Sequence, residues 1–187
     1  MNQEKIQQLE AEVKDLFVKS ENKNWRTFWS VHLKPVIEYS KQMAEKYGAN
    51  FEAVWAGAIL HDIAKITNEE PHDEIGSRKA YAMILEKGFD EDFAQKVKQI
   101  VLKHRCRNYP PESLEEKIVA SADAMAHFIP PFHLWMFESL DKDFSQIMES
   151  GAKKIKRDFE EKIFFEDERK QVEKQYEVLK GWFEFKM

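Results

Sequence analysis

A histidine and an aspartate stand side by side at positions 61 and 62, at the end of an apolar run that covers residues 53–60. A helix that is apolar nearly all round is predicted to be buried. Burying an imidazole next to a carboxylate is costly unless another group satisfies both side chains. A divalent metal ion does so, because neutral histidine and ionised aspartate are ligands that such cations accept. For an isolated His-Asp dipeptide, a salt-bridged or capped core pair would be the more common explanation.

Further histidines and one aspartate occupy comparable places along the chain. We predict that Asp123 lies inside the apolar helical run 118–126, where a carboxylate has little reason to be, and that the others lie at helix ends. Several such residues in a small helical domain indicate a shared site. The candidate residues are His32, His61, Asp62, His72, His104 and Asp123. His127 and His133 match no motif, and we interpret both as ordinary helix or loop residues.

Apolar residues at helical spacing run through nearly the whole sequence, and they predict an all-α fold. The chain has only 6 Gly and 6 Pro, which leaves little room for the turns of an all-β fold. One amphipathic helix is predicted over residues 3–19, and two long charged helices over residues 141–187, with a break near 164–165. Gly48 is predicted to end one helix, and a capping box at 113–116 to begin another.

Length and composition predict one globular domain with an appended helical piece. The 187 residues are 43% hydrophobic and 34% charged, and the formal net charge of -5 argues against a general nucleic-acid-binding surface. The start of the sequence lacks the apolar core of a signal peptide, no run reaches membrane-spanning length, and Cys106 is the only cysteine, so we expect a cytoplasmic protein. We predict an N-terminal helix packed on the core (1–24), a central domain (25–133) and a helical C-terminal extension (134–187).

Five short segments resemble, in order, the motifs of the HD-domain superfamily of metal-dependent phosphohydrolases. His32-Leu-Lys-Pro-Val36 is similar to His-x-x-x-Val, and Leu60-His-Asp-Ile-Ala-Lys65 is similar to the signature Leu-His-Asp-x-x-Lys. The segment 72–77 resembles His-x-x-x-Gly-Ala with a serine in place of the alanine, and 100–104 resembles the helix that ends in the fourth metal-site histidine. The segment 116–123 resembles the closing motif Glu-Lys-Ile-x-x-x-Ala-Asp. The resemblance covers about residues 30–128 and identifies the central domain, 25–133, as an HD-domain helical bundle.

The resemblance implies a metal role for each of the six candidate residues. His32, His61, Asp62 and Asp123 would hold a first ion. His72 and His104 would add a second ion, with Asp62 bridging the two. Ligands rich in histidine suit Fe, Mn, Co, Ni or Zn better than Mg or Ca, so we expect one or two divalent transition metal ions. Such ions lower the pKa of bound water and so provide a hydroxide to attack phosphorus near neutral pH.

The resemblance also implies that Lys65 contacts the substrate phosphate and takes part in catalysis together with Asp62. Arg105 and Arg107 follow His104 closely and, with Lys103, could dock phosphate bidentately. Basic residues at the end of a helix also suit the helix dipole without any substrate. We therefore treat Lys65, Arg105 and Arg107 as candidate substrate-binding residues.

The expected function is metal-dependent hydrolysis of a small phosphate ester or anhydride, with a nucleotide as the leading candidate. Two alternatives stay open: a di-iron oxygenase that uses the same ligands, and a non-catalytic module that binds nucleotides. Iron spectra with oxygen uptake would favour the first alternative, and tight nucleotide binding without turnover would favour the second. The expected partner is a small phosphorylated substrate, with no nucleic acid and no membrane, and a homodimer is left open.

Overall fold

The structure is a computed structural model that describes residues 2–139 and 143–184. Within these ranges the chain forms helices joined by short connections, and no strand occurs among them, so the predicted all-α fold is confirmed. No helix in the described ranges combines the length and apolar character needed to cross a bilayer. The remaining residues of the predicted N-terminal and C-terminal segments, 1, 140–142 and 185–187, lie outside the described part.

The helices follow one another closely along the chain. They are α1 (Asn2–Val18), α2 (Lys23–Phe28), α3 (Lys34–Tyr47), α4 (Phe51–Leu60), α5 (His72–Glu86), α6 (Glu91–Lys103), α7 (Leu114–Ala126), α8 (Pro130–Ser139), α9 (Phe144–Arg157) and α10 (Glu166–Phe183). π-helical turns at Trp29–Leu33 and Asp158–Lys162 and a 3-10 turn at Ile63–Thr67 interrupt the series. The helix predicted at the N-terminus and the two predicted charged helices with a break before α10 are confirmed.

Helix α4 lies at the centre of the bundle and packs against α1, α3, α6 and α7. Every residue from Ala53 to Leu60 is buried, as its continuous apolar character predicts. Its first turn is capped by Asn50, whose side chain accepts a hydrogen bond from the backbone N–H of Ala53 at 3.0 Å. At Asp62 the backbone leaves helical geometry (φ -113°, ψ 19°), and the 3-10 turn begins. The His-Asp pair is therefore fixed at the end of a buried, capped helix.

The predicted helix boundaries around the core are confirmed by their local geometry. Gly48 ends α3 in the left-handed conformation (φ 67°), which glycine adopts at little cost. Both hydrogen bonds of the capping box between Ser113 and Glu116 are present at the start of α7. Because α7 is fixed at its start and packs on α3, α4 and α6, the position of Asp123 on it is well determined.

The C-terminal helices pack on the core. Helices α9 and α10 contact each other, and α10 and the π-helical turn at Asp158–Lys162 both contact α7. The close approach of α9 to α10 requires Gly151, since a Cβ added there would lie 2.2 Å from a ring carbon of Phe183. This packing brings the last turn of α9 to the same end of the bundle as Asp123.

Gly57 is expected to control how closely α4, which ends at the His-Asp pair, approaches α6. A Cβ added at Gly57 would lie 2.5 Å from Cγ2 of Ile100, and the branched isoleucine side chain is buried with little room to yield. Gly57→Ala should therefore lower the free energy of unfolding by about 1–3 kcal/mol in urea denaturation, despite the higher helix propensity of alanine. Gly181→Ala is the control, because nothing lies within 4 Å of its added Cβ, and it should be stabilising. An unchanged or raised stability for Gly57→Ala would contradict the close contact.

Candidate metal centre and anion cavity

The structure brings all six candidate residues together in one buried cluster. The π-helical turn before α3 carries His32, the end of α4 carries the His-Asp pair, and the interior of α7 carries Asp123. Helix α5 begins with His72, and His104 follows the last residue of α6. None of the six is more than 7% exposed. Segments far apart in the sequence thus converge on a common centre, as the motif set predicts.

Asp62 is the geometric centre of this cluster. Its Oδ2 lies 3.4 Å from Nε2 of His32 and 3.3 Å from Nε2 of His61. Its Oδ1 lies 3.4 Å from Nε2 of His72 and 3.6 Å from Nε2 of His104. Asp123 faces the first pair, with Oδ1 3.2 Å from Nε2 of His32. Each oxygen of Asp62 therefore serves a different histidine pair, which is the arrangement that a ligand bridging two ions requires.

The rings of His61 and His104 are oriented by hydrogen bonds on the side away from Asp62. The Nδ1 atom of His61 lies 2.8 Å from the carbonyl oxygen of Ala58, and that of His104 lies 2.6 Å from the carbonyl oxygen of Val101. A carbonyl oxygen only accepts hydrogen bonds, so Nδ1 of each ring carries a proton and each ring directs its Nε2 atom toward the cluster. Histidines that bind metals are commonly oriented in this way.

Charge and hydrogen bonding in the cluster fit a divalent cation. Burial lowers the pKa of His104 to about 4, which keeps its ring neutral and able to donate a lone pair. Burial alone would raise the pKa of Asp62, but the charges of Lys65 and His61 hold it well below its usual value, so the carboxylate is ionised. Among the described residues, buried Oδ1 of Asp62 has no hydrogen-bond partner. A buried anionic oxygen facing two imidazole nitrogens is well suited to bind a metal ion.

Two groups of three residues offer ligand atoms within 4.8 Å of one another and share Asp62: His32, His61 and Asp62, and Asp62, His72 and His104. This set of imidazole and carboxylate donors fits a divalent transition metal ion. The residues present would hold one or two ions.

A further group of this kind contains His127, which the sequence analysis interprets as an ordinary residue and which the structure places beside the cluster. Its Nε2 lies 3.5 Å from Oδ1 of Asp123, its ring stacks on that of His32 with centroids 4.9 Å apart, and the three residues form a potential ligand group. Its Nδ1 lies 2.8 Å from Oδ2 of Asp158. Burial and the charge of Lys154 lower the pKa of His127 to about 3. Its spacing of four residues from Asp123, on the same helix face, is the signal that could have identified it.

His133 is buried between the rings of Phe132 and Phe183, and it belongs to none of the ligand groups found among the described residues. Its interpretation as an ordinary residue stays a prediction.

A cavity of about 110 Å³ opens beside the cluster. Its lining includes Asp62, His72, His104, Asp123 and His127. The rest of its lining is basic: Lys65, Arg105, Arg107, Lys154, Arg157 and Lys162. A larger cavity of about 360 Å³ lies between α9 and α10, but it contains none of the six candidate residues. The candidate site is therefore identified by its lining of candidate metal ligands and basic side chains, and not by the volume of the cavity.

Lys65 lies at this cavity, in the 3-10 turn that follows the His-Asp pair rather than on a continuation of α4. Its Nζ is 2.9 Å from Oδ2 of Asp62 and about one quarter of its side chain is exposed (28%). The ammonium group also lies over the ring of Phe28, 5.1 Å from the centroid. Lys65 is thus placed where it can contact both a metal ligand and an anion in the cavity.

The structure separates the three basic residues near His104. Arg105 lines the cavity and is held by buried Asp73 at 3.1 Å. Arg107 also lines it, and no carboxylate in the described ranges is within ion-pair distance of its guanidinium. Lys103 does not line the cavity, because it pairs with Glu112 at 2.6 Å and Glu116 at 3.1 Å. The structure thus places Arg105 and Arg107, but not Lys103, at the cavity.

The remaining basic residues of the cavity come from the C-terminal segment and were missed by the sequence analysis. Lys154 and Arg157 lie on the last turn of α9, and Lys162 ends the π-helical turn that follows. Lys162 is buried, and its Nζ lies 2.5 Å from Oδ2 of Asp123. Burial alone would lower the pKa of Lys162, but the charges of Asp123 and Asp158 raise it, so the side chain is cationic.

The chain resembles solved structures along most of its length. An HD-superfamily hydrolase from Bacillus thuringiensis is 19% identical with a TM-score of 0.68, over 98% of this chain and 95% of that one. A predicted HD superfamily hydrolase from an uncultured Thermotogales bacterium is 20% identical with a TM-score of 0.64, over 94% of this chain and 87% of that one. A protein from Listeria innocua is 14% identical with a TM-score of 0.67, over 95% of this chain and 93% of that one. At these identities the similarity establishes the fold alone.

Comparison with curated proteins finds no match for the chain. The model of the HD domain family, in contrast, matches residues 30–127, which is more than half of the sequence and spans every one of the six candidate residues. The chain therefore belongs to the HD domain family.

Proposed function

We propose that this protein is a metal-dependent phosphohydrolase that cleaves a small phosphate ester or anhydride. One observation carries the proposal: six basic side chains line the same cavity as the candidate metal ligands Asp62, His72, His104 and Asp123. A cavity that combines metal ligands with many cations is suited to bind and polarise phosphate. A di-iron oxygenase with the same ligands would have no evident need for so many cations around its centre.

The ions, when bound, would supply an activated water molecule and neutralise negative charge on phosphate oxygens. The protein's own groups fix the geometry for that chemistry. Asp62 is ionised and offers one oxygen to each histidine pair, and the Ala58 and Val101 carbonyl oxygens hold the rings of His61 and His104 in position. Because these groups are buried and hydrogen-bonded beforehand, little reorganisation accompanies the reaction.

Lys65 and Arg107 are the basic residues that we assign to phosphate binding from the HD-domain side of the cavity. Lys65 approaches the anion beside Asp62, and the partly exposed position of its side chain leaves room for it to move toward an incoming phosphate. Arg107 has two guanidinium edges for bidentate contact with phosphate oxygens. Arg105 is oriented by Asp73 and would contribute mainly charge.

A nucleotide remains our leading substrate candidate. The cavity of about 110 Å³ is lined by ionisable side chains, so it would accept the phosphate end. The nucleoside would then lie outside this cavity, toward solvent. A nucleotide substrate is thus compatible with this site if recognition is directed at the phosphate group.

We expect purified protein reconstituted with Mn, Fe or Co to release phosphate from at least one member of a broad panel of nucleotides, sugar phosphates and inorganic phosphates. The measurement is phosphate release alongside metal content per chain, because turnover should require the metal. Metal-free protein is the control and should be inactive. Absence of release from the whole panel by fully metal-loaded protein would refute the proposed function.

A further inference from the structure

The cavity wall formed by the C-terminal segment is organised around one buried carboxylate. Asp158 has no exposed surface, and its Oδ2 lies 3.0 Å from Nζ of Lys154 and 2.8 Å from Nδ1 of His127. Its Oδ1 lies 3.3 Å from the Arg157 guanidinium and 3.9 Å from Nζ of Lys162. One negative side chain thus holds three cationic side chains in place at the edge of the cavity.

The positions of these residues follow from the local backbone. Lys154, Asp158 and Lys162 are spaced four residues apart, so they share one face of the helical segment. The π-helical turn at Asp158–Lys162 ends α9 at this point, and such turns often occur at functional sites. The face is held against α7, which carries Asp123. The cations are therefore built into the fold and are not scattered over its surface.

The positive charge of this wall exceeds what its carboxylates can neutralise. Asp158 is shared by all three cations, and Asp123, which pairs with Lys162, also faces His32 and His127. Buried Nε of Arg157 has no hydrogen-bond partner among the described residues. Lys162 is buried and Lys154 and Arg157 are only partly exposed, so an anion in the cavity would complement the positive charge that these carboxylates leave over.

The opposite wall already provides cations for one phosphate group. Lys65, Arg105 and Arg107 belong to the HD domain, whereas the C-terminal cations lie outside the residues matched by the family model. A single phosphate beside the His-Asp cluster would leave the second set of cations with only the partial compensation that Asp158 and Asp123 provide. Two adjacent phosphate groups would complement both sets.

We propose that the C-terminal wall is a second phosphate subsite formed by Lys154, Arg157 and Lys162, and that the substrate carries at least two linked phosphate groups. Diphosphate and nucleoside di- or triphosphates belong to this class. The inference rests on the proposed function for the reaction itself. The wall would contribute to binding whether or not the ligand is cleaved, so the preference for two phosphate groups is measurable without turnover.

The test compares two ligands that resist hydrolysis, methylphosphonate and methylenediphosphonate, by calorimetric titration of manganese-loaded protein. We expect the diphosphonate to bind at least about tenfold more tightly, which corresponds to one additional charge-assisted contact. Arg157→Met should remove most of this preference, and Arg157→Lys should retain part of it. Equal binding of the two ligands to the unmodified protein would overturn the proposal.

Lys156→Met is the matched control for Arg157→Met, because Lys156 is an exposed cation on the same helix and does not line this cavity. The control should keep the full preference for the diphosphonate. If both variants lose the preference equally, general charge rather than the subsite accounts for binding, and the proposal fails. Arg157 is partly exposed (30% of its side chain), so its replacement should leave the fold intact, as circular dichroism can verify.

The same titration with α,β-methylene-ADP distinguishes two sources of the paired phosphates. If α,β-methylene-ADP binds more tightly than methylenediphosphonate, the substrate is a nucleotide. If the two ligands bind equally, the protein recognises the phosphate groups alone. Failure of this inference is also distinguishable from failure of the proposed function. If the protein prefers the diphosphonate through Arg157 but cleaves no phosphate compound, only the proposed function is refuted. If it cleaves monophosphates efficiently but shows no preference for the diphosphonate, only the subsite is refuted.

Discussion

Replacement of Asp62 by asparagine is expected to remove both metal ions and to lower phosphohydrolase activity by about a thousandfold or more. The reason is geometric, because one carboxylate oxygen faces His32 and His61 while the other faces His72 and His104. Asparagine keeps the shape but loses the negative charge and presents an N–H donor on one side. Metal content per chain, measured by atomic emission after reconstitution, should fall toward zero.

A comparison with His72→Ala tests whether Asp62 bridges two ions or binds only one. His72 approaches only Oδ1 of Asp62, so its loss should reduce the content by one ion per chain and leave the ion at His32 and His61 in place. Asp92→Asn is the charge control, because Asp92 is exposed in the first turn of α6. This replacement should change neither the metal content per chain nor the phosphohydrolase activity. Equal metal loss in Asp62→Asn and His72→Ala would contradict a bridging role.

Asp158→Asn is expected to lower the free energy of unfolding at neutral pH by about 3 kcal/mol, because breaking a buried ion pair leaves uncompensated charge. The carboxylate is fully buried among Lys154, Arg157 and Lys162, and removing it would leave these cations repelling one another. Urea denaturation is the measurement. Asp167→Asn is the control, since Asp167 forms an exposed pair with Lys46 and its loss should cost well under about 1 kcal/mol.

The effect of Asp158 should also depend on pH in a defined direction. Burial alone would raise its pKa, but the charges of Lys154, His127 and Lys162 hold it well below the usual value of 3.8. The unfolded chain therefore takes up the proton first, so the contribution of Asp158 is fully present above about pH 4 and is lost as pH falls below it. The stability difference between wild type and Asp158→Asn should shrink over that acidic range. A difference that stays constant would contradict the assigned ion pairs.

Local sequence signals predicted much of the fold and of the His-Asp cluster. The apolar run 53–60 predicted a buried helix, and Gly48 and the capping box at 113–116 predicted helix ends, because these features depend on neighbouring residues only. The six candidate residues were identified because each occupies a motif or an anomalous polar position within an apolar segment. Such positions are visible without knowledge of tertiary contacts.

The C-terminal wall was not predicted, because its role depends on tertiary packing. Lys154 and Arg157 belong to a charged helix in which basic residues are common, and nothing local distinguishes them from exposed Lys153 and Lys156. Only the packing of the C-terminal segment against α7 selects which of them face the cavity. Lys103 shows the same limit, since its partners Glu112 and Glu116 lie across a loop whose course the sequence does not specify.

The division of the cavity between two stretches of chain has an evolutionary consequence. The imidazoles and carboxylates that would hold ions come from residues 32–123, whereas the wall anchored by Asp158 comes from residues 154–162. Under the proposed function, mutations in the later stretch would alter which anions bind while the histidine and aspartate cluster stays intact. Relatives that share the first stretch can therefore diverge in selectivity by exchanging a few side chains on one appended helix.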